Sequence, residues 1–125
     1  MLKEMRREAY DDTLSKVIKN IERQGYTDIR ADIESYEAPA RLISRTKDDE
    51  YIPDATAVNN YGDKYYFEIS RRTKEPNKLV NKWKLLDTVA RIKNGALKIF
   101  VPHGSMKFTQ EIVKKHNIEA ELVKI

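Results

Sequence analysis

The chain has no cysteine, which excludes disulfides and thiolate metal ligation and suits a reducing compartment. Its apolar runs are short, and none approaches the roughly 20 residues that a spanning helix needs. The first eight residues, Met1 to Glu8, are crowded with charge and carry no apolar stretch of the kind a secretory signal requires. The expectation is a soluble, cytoplasmic protein with no membrane partner. No internal repeat or low-complexity tract is present. A large excess of one charge is missing too: 24 Lys and Arg stand against 20 Asp and Glu, for a net charge of +4. That balance permits nucleic-acid binding without demanding it.

The 125 residues suffice for one core and not for two, so a single domain spanning residues 1–125 is expected. With 40% hydrophobic and 35% charged residues, the chain is globular with a heavily charged surface. Acids gather at Asp48, Asp49 and Glu50. Bases gather at Arg71, Arg72, Lys74, Lys78, Lys82 and Lys84.

Hydrophobic periodicity predicts a helix over residues 3–24, whose stripe is Tyr10, Leu14, Val17, Ile18 and Ile21, stopped by Gly25. Alternation from Thr27 to Tyr36 predicts a strand with Ile29, Ala31 and Ile33 on one side. Residues 37–50 read as a loop or irregular hairpin, with Leu42 and Ile43 as its one apolar step. Strands follow at 51–59 and 64–70, joined by a turn through Gly62. Pro76 fits the first turn of a helix that Asn94-Gly95 would cap. A short buried strand at 97–101, a helix from Ser105 to His116 and a last strand at 119–123 complete the chain. This α/β order, α-β-β-β-α-β-α-β with a loop before the second strand, predicts a mixed β-sheet flanked by helices on both faces.

Two of these strands each carry one acid in an apolar setting: Asp54 in Ile52-Pro53-Asp54-Ala55-Thr56-Ala57-Val58, and Glu68 in Tyr65-Tyr66-Phe67-Glu68-Ile69-Ser70. Buried ionised carboxylates are costly unless something positive answers them, and two together repel. A hard divalent ion such as Mg²⁺ answers both, taking one or two carboxylates, waters and phosphate oxygens. In an antiparallel hairpin, opposed residue numbers have a constant sum. For Asp54 and Glu68 to oppose one another that sum must be even, which requires an odd-length turn centred near Tyr61 or Gly62, or a bulge. Neutralising either acid, by Asp54→Asn or Glu68→Gln, is then expected to relieve repulsion in the metal-free protein.

This pattern resembles the PD-(D/E)xK nuclease superfamily, whose α-β-β-β-α-β core carries Pro-Asp on its second strand and (Asp/Glu)-x-Lys on its third. Here Pro53-Asp54 is followed, after thirteen intervening residues, by Glu68-Ile69-Ser70. The resemblance implies a restriction-endonuclease-like core in which Asp54, Glu68 and the Ile69 carbonyl bind Mg²⁺ or Mn²⁺. It also implies a helper acid from the first helix, for which Asp11 and Glu8 are the candidates. The chain departs from the pattern at Ser70, where the family has a catalytic lysine. Serine supplies no cation, so Lys64, Arg71, Arg72, Lys82 and Lys84 are the replacements to consider, with Lys82 preferred. His103 and His116 match no metal spacing and read as capping or surface residues.

The implied activity is metal-dependent hydrolysis of DNA phosphodiesters, with Arg71, Arg72, Lys74, Lys78 and Lys84 holding the backbone. No groove-reading motif is evident. A structure-selective endonuclease therefore fits better than a sequence-specific one; among small single-domain members the chain resembles the archaeal-type Holliday junction resolvases, which implies a homodimer acting on branched DNA. No small-molecule cofactor is expected. A second reading is a catalytically impaired nuclease-fold module for DNA binding or assembly; a third is an unrelated α/β protein.

Overall fold

The computed structural model describes residues 7–46 and 49–125. The first four residues of the expected 3–24 helix and Asp48 of the acidic cluster lie outside them. Helix α1 runs Arg7–Arg23 and buries the expected stripe, Tyr10, Leu14, Val17, Ile18 and Ile21. Each such side chain removed from water contributes roughly 1.5–3 kcal/mol before entropy is charged. Gly25, at φ 91°, turns the chain into β1.

Strand β1 is Thr27–Ala31, shorter than the alternation to Tyr36 suggested. Asp28 takes φ 49°, and the pairing with the neighbouring strand slips between Thr27 and Arg30, so the inward-outward alternation breaks. Ser35, at φ 85°, bends the chain away. Segment 37–50 supplies a small antiparallel hairpin of its own, β2 (Leu42–Ser44) with β3 (Asp49–Tyr51). Tyr51 thus closes β3 instead of opening the next strand. Ile52, Pro53 and Asp54 lie between, and β4 is only Ala55–Val58.

β5 is Lys64–Ile69, α2 Pro76–Ile92, β6 Leu97–Val101, α3 Met106–Lys115 and β7 Glu121–Lys124. Proline opens α2 as expected. At its far end the positive φ falls on Asn94, at 62°, and the Gly95 N–H returns to the Ala90 carbonyl. Gly95 is needed for room: a Cβ there would lie 1.6 Å from the Lys64 carbonyl oxygen.

The main sheet has five strands in the order β1-β4-β5-β6-β7. The first two junctions are antiparallel and the last two parallel. Helix α1 packs on one face against Ala31, Ala55, Ala57, Phe67, Ile69 and Phe100. Helices α2 and α3 cover the other, over Tyr66, Leu97, Ile99 and Val101. The protein is therefore an α/β domain with a mixed sheet flanked by three helices. Among the described residues, no helix is long and apolar enough to cross a membrane.

Candidate functional site

The β4–β5 ladder pairs Ala55 with Phe67, Thr56 with Tyr66 and Val58 with Lys64, an even register about a turn centred on Tyr61. Carried one step further, that register sets Asp54 opposite Glu68. Here the strands stop exchanging backbone hydrogen bonds and the two acids take over. The Ile69 N–H donates to Asp54 Oδ2 at 2.7 Å, and the Asp54 N–H donates to Glu68 Oε2 at 2.8 Å. Pro53 would face Ile69 in the same register, and it has no N–H to offer the Ile69 carbonyl. The dipeptide Pro53-Asp54 thus ends the ladder and leaves a carbonyl beside two carboxylates.

Each acid receives further donors, from opposite layers of the fold. On the α1 side the Tyr10 hydroxyl donates to Asp54 Oδ1 at 2.6 Å. Arg71 Nη2 lies 3.5 Å from the same oxygen, its guanidinium 4.4 Å from the centre of the Tyr10 ring. On the α2 side Trp83 Nε1 donates to Glu68 Oε1 at 3.2 Å, and Lys82 Nζ sits 3.1 Å from that oxygen. Asp54 and Glu68 are 3% and 2% exposed.

This burial has electrostatic consequences. It is the main cause that pushes the Glu68 carboxyl up to about 7, followed by the Asp54 charge; Lys82 and the Asp54 N–H work the other way. Burial also disfavours the Lys82 cation, yet Glu68 and Asp54 outweigh it and hold the ammonium above its ordinary value. Burial, then Asp54, raises the Tyr10 phenol, so its hydroxyl keeps its proton and donates.

Asp54, Glu68, the Ile69 backbone, Lys82 and Arg71 therefore come together. Other expected residues do not join them. Ser70 is fully buried, its hydroxyl 2.5 Å from that of Thr109, which in turn donates to the Ser105 carbonyl; Ser70 ties β5 to α3. Asp11 pairs with Arg7 instead, its Oδ1 3.0 Å from Nε in an ion pair without hydrogen-bond alignment. Glu8 is exposed. Among the described residues no group of three or more Asp, Glu, His or Cys side chains gathers in a way that could hold a metal. One helix position separates Tyr10 from Asp11, about 100°, which is enough to send the acid out of the site.

Lys64 lies at the opposite end of β5, where burial lowers its pKa and Asp28, Lys93 and Arg30 are its charged neighbours. Lys74 and Lys84 are exposed. His103 is exposed and His116 caps α3, as expected for both.

Glu68 opens onto a cleft of about 330 Å³. Its walls are the end of the small hairpin with the residue that follows (Glu50, Tyr51, Ile52) and the start of α2 (Glu75, Lys78, Leu79, Lys82), with Arg71, Arg72 and Thr73 between them. Arg72 also donates to the Gly104 carbonyl at 3.0 Å, which anchors its guanidinium. Arg71, Arg72 and Lys78 of the expected backbone-binding set thus reach the cleft.

Sequence reasoning missed Tyr10 and Trp83 as site residues, reading both as core. The available signal was chemical. A buried Tyr or Trp carries a polar atom that needs a partner, and each stood on a stripe of otherwise aliphatic side chains. In comparisons with known proteins, no family model, no curated protein and no solved structure matches the chain.

The donor set suits a hard divalent ion in kind: two carboxylates and a strand carbonyl that its proline neighbour leaves without a ladder donor. Each carboxylate offers about four lone-pair positions, and the protein's own donors take three at each.

Proposed function

We propose that this chain is a metal-dependent deoxyribonuclease with a restriction-endonuclease-like core of the PD-(D/E)xK type. The observation that carries this reading is the meeting of Asp54 and Glu68 at the end of the β4–β5 ladder, the Asp54 N–H 2.8 Å from Glu68 Oε2, with the Lys82 ammonium 3.1 Å from Glu68. Asp54, Glu68 and the Ile69 carbonyl would hold Mg²⁺ or Mn²⁺. Such an ion lowers the pKa of a bound water and polarises a scissile phosphate. Lys82 contributes the cation that Ser70 lacks, reaching Glu68 from the helix after the strand. It orients the attacking water and offsets charge developing on the phosphate. Arg71, Arg72 and Lys78 line the cleft with positive charge and hold phosphates beside the acids.

The expected substrate is branched DNA, recognised by shape by a homodimer in the cytoplasm; the described residues offer no groove-reading element that would favour a sequence-specific target. The test is cleavage of branched, single-stranded and duplex DNA with Mg²⁺ or Mn²⁺, with and without chelator, alongside Asp54→Asn. Metal-dependent cleavage that the variant loses supports the reading.

One observation favours a second reading. Arg71 already partners Asp54 and Lys82 partners Glu68, so the acid pair can stand as a closed ionic network without metal. A non-catalytic DNA-binding or assembly module would use it so. A wild type inert on all three substrates with both metals, yet still binding DNA, decides for the module.

A further inference from the structure

Arg71 stands where the acid pair meets the cleft. Its Nη2 is 3.5 Å from Asp54 Oδ1, its guanidinium lies over the Tyr10 ring, and it lines the cleft. Its side chain is 38% exposed, against 4% for Asp54. A guanidinium is always charged and carries five N–H donors, so donors beyond those turned to Asp54 remain for the cleft.

We infer that Arg71 is the counterion a divalent cation displaces from Asp54, and that the freed guanidinium then serves as a phosphate ligand in the cleft. This deepens the metal-dependent reading above and rests on it. The two positive side chains are held unequally. Lys82 is 16% exposed and 3.1 Å from Glu68, whereas Arg71 is more exposed and farther from its acid. Adding two positive charges between the acids expels the cation held more weakly, and the longer pair, whose cation is the more exposed, is the weaker one. Tyr10 keeps the released guanidinium nearby, because its ring face attracts a cation whether or not Asp54 does. One side chain is thus freed by metal and taken up by phosphate, so metal and DNA binding are positively coupled.

The test uses the full chain, stripped with chelator and titrated with Mn²⁺. Quenching of Trp83, the single tryptophan, reports the binding, because its indole N–H is bonded to Glu68. Arg71→Gln is expected to bind Mn²⁺ roughly two- to fivefold more tightly than wild type, the factor a weak ion pair is worth. Arg71→Lys, which keeps the charge, stays near wild type. Binding of branched DNA, measured with non-catalytic Ca²⁺, is expected to strengthen with the ion in wild type and to strengthen clearly less in Arg71→Gln. Arg71→Ala takes the place of the Gln variant, with the same outcomes, should that variant not fold. Unchanged or weaker Mn²⁺ affinity in the uncharged variant, with wild type binding normally, overturns this inference alone. A gain with Ca²⁺ as large in Arg71→Gln as in wild type, or none in wild type, overturns the phosphate role. A wild type that binds no Mn²⁺ overturns it together with the metal-dependent reading.

Discussion

Tyr10 and Asp54 meet at 2.6 Å across 44 positions of sequence, phenol donating to carboxylate inside the fold. The bond joins helix α1 to the break before β4. Tyr10→Phe keeps the ring, and with it the packing and the seat for Arg71, but leaves Asp54 Oδ1 one donor short. A hydrogen bond to a charged group is worth about 1.5–3 kcal/mol. Urea unfolding of the variant is expected to show a loss in that range with the slope unchanged. A loss below the scatter of the fit would mean that water replaces the hydroxyl without cost.

The two carboxylates respond differently to neutralisation. Repulsion alone suggests that Asp54→Asn and Glu68→Gln both relieve strain. The hydrogen bonds separate them. An asparagine at 54 accepts from the Ile69 N–H and donates its amide to the Tyr10 oxygen, which can reverse its role, while Arg71, 3.5 Å from that position and partly exposed, is able to turn into the cleft. A glutamine at 68 finds only donors: the Asp54 N–H on one side, the Trp83 indole and Lys82 on the other. Its NH₂ must face one of them. Thermal melts without metal are expected to rank Asp54→Asn above Glu68→Gln, by about 1–3 kcal/mol. The reverse order would disprove this assignment of donors.

Proton linkage at Glu68 has a definite sign. Its carboxyl rises from 4.5 unfolded to about 7 folded, so between those values the native state binds the extra proton. The stability from this group is complete below about 4.5 and is lost as pH rises through about 7. Chelator-treated wild type is expected to lose stability over that window relative to Glu68→Gln, whose side chain does not titrate. Denaturation midpoints compared every half unit of pH supply the measurement. Parallel profiles would place the titration elsewhere.

Lys82 and Lys78 share helix α2 and the cleft, but among the described residues only Lys82 pairs with an acid. Lys82→Ala is expected to lower turnover on the order of 100-fold while DNA affinity changes little, as for a group acting in the transition state. Lys78→Ala is expected to weaken binding and reduce its salt dependence by about one phosphate contact. Single-turnover rates and binding isotherms across salt concentrations distinguish them. Equal effects of both variants on rate and affinity would remove the special role of Lys82.

Much of this arrangement could be read from local chemistry. The stripe of α1, Pro76 opening α2, the run Leu97–Val101 and the odd turn at Tyr61 each state their conformation within a few residues. The register then follows, and with it the meeting of Asp54 and Glu68. What escaped was decided by distant chain. The break at Ile52–Asp54 exists because Pro53 cannot continue the ladder while β2 has drawn Tyr51 into a separate hairpin. The hydroxyl of Ser70 finds Thr109 only because α3 settles over the end of β5. Asp11 and Tyr10 are adjacent and both polar-capable; which one faces the site depends on the helix's rotation about its axis, set by Leu14, Val17 and Ile21 below them.

Gly95 sets the gauge of the site from its far end. With no side chain, the turn after α2 rests directly on the Lys64 carbonyl, which makes that contact the datum from which the helix is measured. Each residue of a helix advances about 1.5 Å along its axis. Lys82 and Trp83 reach Glu68 across 3.1 and 3.2 Å, so a shift of one such step takes both beyond contact. Alanine at 95 must push the turn off Lys64, and the displacement travels along the rigid helix to the carboxylate. A Gly95→Ala protein that stays folded is therefore expected to show altered Trp83 emission; unchanged emission would mean that the turn yields locally and leaves the helix where it was.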